Sequence, residues 1–279
     1  LWGAALCNVS AAYPGGTMVK RASVILSASV GVGMLIGVVL PTLLAFWGLK
    51  EIFWVPGLLL LLLSFLLWLL LPNQNSRKKA SNRVHFTCLR NPMVKKMLFP
   101  AMAHGAIKEN LTMWAPLLFL EFYGLDLAHA TFFIFLMPLA TLLGRLLFPF
   151  WYRTCKNSER ATLISSFFVC ALALLPFLFA KPSIWISGIL LAVVSVTTSI
   201  LNAELISIYP VNFQSENQVS TVSGLLDCAT YIGSALGSLL FGYLISWGGY
   251  TSMIAIWTVF ALLSGFLLID KKVSPVKNG

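Results

Sequence analysis

Long apolar runs, each about the length of a bilayer-crossing helix, alternate with short polar stretches along the chain. The runs occupy residues 22–48, 53–72, 97–122, 128–151, 161–180, 184–209, 219–247 and 250–268. A transmembrane helix needs roughly 20 predominantly apolar residues, so each run is long enough to span. None shows the short-period alternation that strands of a membrane barrel require. One further apolar stretch, 1–17, is too short to span and reads as the tail of a membrane helix. The pattern predicts an all-α polytopic membrane protein of about eight spans plus a partial one.

The polar stretches set the topology. The longest, 73–96, carries Arg77, Lys78, Lys79, Arg83, Arg90, Lys95 and Lys96 and no acid. It is the best domain boundary. Arg153, Lys156 and Arg160 follow the second span after it, Lys271, Lys272 and Lys277 end the chain, and Lys20 and Arg21 fall near its start. Loops of the other parity hold only Lys50 and Lys181 as cations, beside Glu51 and Asp126. The positive-inside rule therefore puts the linker and the C-terminus in the cytoplasm. The loop at 210–218 is inside by parity and has only Glu216 as a charge.

Two spans and a partial one, a basic linker and six spans have the shape of the back part of a six-plus-six transporter. Residues 1–72 are then the remnant of an N-terminal bundle, 73–96 the cytoplasmic linker, 97–270 a six-helix C-terminal bundle and 271–279 a tail. The chain has no initiator methionine and no signal-peptide pattern at its start. A fragment whose N-terminal half is incomplete is expected.

Composition narrows the function. Charged residues make up 10% of the chain, against about 25% in a soluble domain. The net charge of +10 could suggest nucleic acid, but its cations sit in short runs between apolar spans, as membrane topology requires. Cys7, Cys88, Cys155, Cys170 and Cys228 are scattered, with no metal-ligand spacing, and read as small apolar fillers. No phosphate-binding loop, zinc-protease motif, nucleophile elbow or voltage-sensor arginine row occurs. No cofactor, no metal and no enzymatic activity are expected.

Ionisable residues within spans are costly and mark functional sites by default. Lys108 is the most deeply placed. His104, Lys108, Leu111 and Thr112 share one helical stripe, while Glu109 is displaced by about 100°. Lys108 is either a point charge for an anionic substrate, with His104 as a neighbouring donor, or a structural cation paired with Glu109, Glu204 or Asp227. Asp227 is embedded in span 219–247, as a partner of Lys108, a proton-carrying group or a neutral acid. That span also carries Ala229, Gly233 and Gly237 at four-residue spacing, which lets another helix approach closely. Asn202 and Glu204 lie toward the cytoplasmic end of their span and read as a gate or interface pair. Arg145 is near the cytoplasmic end of its span, where it can snorkel, and reads as structural. Tyr123, Tyr209 and Trp151 are expected in interfacial aromatic belts.

The run KENLTMWAP at 108–116 resembles the organophosphate:phosphate antiporters of the major facilitator superfamily, the glycerol-3-phosphate transporter-like branch. In that family the first span after the linker carries a substrate-binding arginine, then a tryptophan six residues on, a small residue and a proline. Lys108, Trp114, Ala115 and Pro116 fall on that pattern. The runs LRNP at 89–92, NAEL at 202–205 and YPGGTMV at 13–19 are similar to other family stretches. The chain departs from the family at Lys108, which stands for an arginine and lacks its bidentate fork. It also lacks the histidine expected in span 22–48, and its loop before residue 22 is shorter than the family's. The resemblance therefore carries over only Lys108, as a candidate anion site; His104 and Thr112 join it as substrate-binding candidates through the shared helical stripe, and Trp114 through its place in the matched run.

Together these point to a secondary transporter working by alternating access on a small anionic metabolite such as an organophosphate. It would sit in the cell membrane, monomeric when full length; the resemblance implies exchange of substrate for inorganic phosphate, without a proton. Glu109, Asp227, Glu204 and Asn202 are the coupling or gating candidates. The alternatives are a proton-coupled carrier of sugars, drugs or peptides, with Asp227 or Glu109 titrating, and a membrane sensor that binds without transport.

Overall fold

A computed structural model describes residues 2–13, 16–70, 88 and 90–269. Most of the expected linker and the whole tail (271–279) lie outside the described residues. The described residues are almost wholly helical. In chain order they form α1 (Trp2–Ala12), α2 (Gly16–Leu44), α3 (Leu49–Leu70), α4 (Pro92–Leu117), α5 (Leu127–Thr154), α6 (Glu159–Leu174), α7 (Pro176–Phe179), α8 (Ile184–Asn202) and α9 (Val219–Ile269). A π segment, Leu118–Phe122, continues α4. A second, Ala203–Ile208, and a 3₁₀ turn, Tyr209–Phe213, continue α8. Six of the helical stretches are long and apolar enough to cross a membrane: Met18–Leu44, Leu49–Leu70, His129–Thr154, Glu159–Phe179, Ile184–Phe213 and Val219–Ile269. Helix α4 has the length but carries Lys95, Lys96, Lys108 and Glu109.

Helix boundaries follow local chemistry. Asn91 caps α4 by accepting from the Met93 amide at 2.9 Å, and Pro92 takes the first turn, where its missing N–H is no loss. Lys95 and Lys96 thus belong to the helix rather than to the linker. Ser158 caps α6 in the same way, accepting from the Ala161 amide. Helix α2 starts at Gly16, ahead of Lys20 and Arg21, where the sequence pattern puts a loop. The reason is tertiary: Lys20 pairs with Glu159 at the start of α6 at 2.6 Å, so the basic residue has a partner on a neighbouring helix.

The chain divides into two compact units, residues 1–32 with 86–279, and residues 33–85. The smaller contains the second half of α2, a turn at Gly48 and α3. No residue of α3 is buried. Phe53, Trp54, Trp68 and a run of leucines lie on its surface, as a helix surrounded by lipid needs.

In the larger unit α4 packs most extensively on α9, α5 on α8, and α6 on both α8 and α9. Phe119, Phe167, Phe241 and Trp257 fill its core. The α4–α9 contact is backbone against backbone. A Cβ at Gly105 would lie 1.9 Å from the Thr230 carbonyl oxygen, and one at Gly233 would lie 2.0 Å from that of Met102. The small residues spaced along 229–237 serve this approach.

Helix α9 comprises two spans. In a straight helix, residues sixteen apart are separated by about 24 Å. The rings of Phe241 and Trp257 are 5.8 Å apart, edge to face. The chain therefore doubles back, and it does so at Gly249, with φ 67 and ψ −172. This divides the helix where the sequence separates 219–247 from 250–268. That conformation is essentially reserved to glycine, and no atom crowds a Cβ at Gly249, so the backbone alone resists substitution. Gly249→Ala should cost about 1–3 kcal/mol, read as a lowered melting temperature in detergent. An unchanged melting temperature would mean that the turn relaxes freely.

Candidate functional site

The polar residues inside the larger unit come mainly from α4, α5, α8 and α9, and they fall into three groups. The first surrounds Lys108. Its ammonium donates to Glu109 Oε1 in an ion pair, and the two side chains are 14% and 30% exposed. The hundred-degree displacement of Glu109 does not separate them, because both arms are long enough to bend across the helix surface. Of the three carboxylates expected as partners of Lys108, only Glu109 makes an ion pair with it among the described residues. Asp227, half-buried on α9, is within electrostatic reach of both Lys108 and Glu109. Thr112 is exposed, and its hydroxyl donates to the Lys108 carbonyl at 3.3 Å, which ties it to its own helix. Trp114 is half-buried and packs on the core, and its indole nitrogen is buried without a partner.

The second group joins His104 to residues expected elsewhere. His104 is fully buried, with Nε2 3.4 Å from Asn202 Nδ2. Asn202 Oδ1 accepts from the Arg145 guanidinium at 2.6 Å. A second guanidinium nitrogen donates to Ser27 Oγ on α2. The snorkelling expected of Arg145 does not occur: the residue is 2% exposed. Its partners show why: Ser27 on α2 and Asn202 at the end of α8 hold the guanidinium inside the bundle. Gly144 shapes its surroundings. A Cβ there would lie 2.5 Å from the Val196 carbonyl oxygen, so α5 and α8 press together beside the arginine.

The third group is separate from Asn202, against the expectation of a pair. Glu204 is fully buried on the π segment, and both its oxygens lack hydrogen-bond partners. It lies within electrostatic reach of Lys20 and Glu159. Glu159 accepts from Lys20 and, at 2.6 Å, from Asn212. Tyr209 is buried in the protein, not in an interfacial belt, because the 3₁₀ turn carrying it folds onto this group. Among the described residues no set of three side chains could hold a metal ion.

A family model described as Major Facilitator Superfamily matches residues 1–225. No curated protein matches the chain.

Proposed function

The chain belongs to the Major Facilitator Superfamily, a family of secondary transporters, and we infer that it carries a small anionic metabolite, such as an organophosphate, by alternating access. The observation behind this reading is a cluster of basic side chains inside the bundle. His104 is within electrostatic reach of both Lys108 and Arg145. Each cation at the centre of a bilayer costs roughly 2.5–3.5 kcal/mol even on the lenient insertion scale, and an anionic cargo is what such a cluster would serve. Lys108 is then the charge that draws the anion in, with His104, Thr112 and Trp114 around it. Helix bundles rocking about a midplane site would expose it to each side in turn. The charge asymmetry of the loops supports a C-terminus in the cytoplasm; the protein would sit in the cell membrane, with the monomer as the simplest working unit.

A second reading has its own observation. Lys108 is one cation facing two carboxylates, Glu109 and Asp227, and such a cluster can exchange a proton. Proteoliposomes containing the natural protein separate the two readings. For anion exchange, labelled phosphate should enter vesicles preloaded with phosphate, with no proton gradient. Uptake that appears only with an imposed proton gradient favours proton coupling. Binding of phosphate without flux would make the protein a sensor.

A further inference from the structure

Lys108 has a counterion, Glu109; Arg145 has none among the described residues. Among the described residues no carboxylate pairs with Arg145. Its contacts are the neutral oxygens of Ser27 and Asn202, and its Nε is buried without a partner. A buried cation whose charge is left uncompensated is strongly disfavoured.

The hydrogen bonds also fix the proton on His104. A guanidinium only donates, so the Asn202 oxygen must face Arg145. The Asn202 amide nitrogen then faces His104 Nε2 and donates to it. Neutral His104 therefore carries its proton on Nδ1, and that atom too is buried without a partner. Two unsatisfied N–H donors, one of them charged, belong to a single hydrogen-bonded chain: Ser27, Arg145, Asn202, His104.

We propose that Arg145 and His104 form a buried oxyanion site, distinct from the Lys108–Glu109 pair, which takes a phosphate or similar group of the transported anion. The proposal rests on the anion-transport reading and names where in the bundle the anion is gripped. A guanidinium suits this role because its planar fork matches an oxyanion in a bidentate manner, which an ammonium cannot do. Ser27 and Asn202 hold the guanidinium in place without neutralising it. The close approach of α5 and α8 at Gly144 keeps it from swinging out. In this conformation the site is occluded, and the opening that alternating access requires would admit the ion. Lys108, already answered by Glu109, serves on the approach.

The test is equilibrium binding of radiolabelled inorganic phosphate to the purified natural protein in detergent, with chloride matched for ionic strength. Arg145→Gln should abolish saturable binding. Arg145→Lys keeps the charge and loses the fork, so it remains informative if the glutamine variant fails to fold; it should weaken binding about tenfold or more. Lys108→Gln should weaken binding less than Arg145→Lys does. Wild-type binding by Arg145→Lys would overturn the site, and its loss in Lys108→Gln alone would move the anion to Lys108 and leave the transport reading standing. If the wild type binds neither phosphate nor a phosphate ester, the organophosphate reading itself falls, and this site with it.

Discussion

Gly105→Val should leave little folded protein. The Cβ that valine brings would lie 1.9 Å from the Thr230 carbonyl oxygen and 2.6 Å from its carbon. These are backbone atoms, so no rotamer change relieves the clash. Helices α4 and α9 would have to separate along the most extensive helix pair of the bundle. Overpacking a well-packed core costs typically 1–3 kcal/mol when side chains can yield, and more is expected where they cannot. Gly233→Val should fail in the same way, since its Cβ would meet the Met102 carbonyl oxygen at 2.0 Å. Gly224, also on α9, is the internal control. Nothing lies within 4 Å of a Cβ there, so Gly224→Ala should be neutral or stabilise by up to about 1 kcal/mol through helix propensity. Monodisperse yield and melting temperature in detergent read all three. Normal yield and melting of Gly105→Val would mean that α4 and α9 do not cross as described.

Lys108→Ala should lower the rate of anion uptake several-fold and also lower the melting temperature. The two effects have different causes, and a double-mutant cycle separates them. Removing the ammonium leaves the Glu109 carboxylate, 30% exposed, without its cation; an orphaned group of this kind costs about 1–3 kcal/mol. Glu109→Ala should destabilise for the mirror reason. The double variant removes both charges, so its melting temperature should recover most of the loss, as replacing an ion pair by neutral groups commonly does. Uptake should not recover, because the cation that draws the anion is gone. Recovery of uptake along with stability would show that Lys108 serves only to balance Glu109.

The spans were legible because a bilayer demands long apolar runs, and no other constraint produces them. The turn at Gly249 was legible for a related reason: Gly248 and Gly249 interrupt a run too long for one crossing. The closeness of α4 and α9 was half legible. The small residues at 229–237 pointed to a tight neighbour, but which helix it was depends on tertiary packing. Local deviations from ideal helix geometry were not legible. The π segments at Leu118–Phe122 and Ala203–Ile208 leave no mark in hydrophobic period over so few residues. The second carries Glu204 away from Asn202, so two candidates read as a pair belong to different groups. Lys20 was placed in a loop because two adjacent cations, Lys20 and Arg21, beside a span read as a boundary, and its partner Glu159 is 139 positions away. Arg145 read as a snorkelling residue because its partners, Ser27 and Asn202, lie 118 and 57 positions away.

The turn at Gly249 also bears on how the protein is made. From residue 228 to residue 269 the chain has no charged side chain; Asp227 and Asp270 flank the interval. Two apolar spans joined by a two-glycine turn can enter the bilayer together as a hairpin during synthesis. The tip that must reach the far side carries no ion across the hydrocarbon. The ring contact of Phe241 with Trp257 is local in sequence, so it can close while the hairpin is still leaving the insertion machinery. The last two spans can then be paired before α4 docks on them.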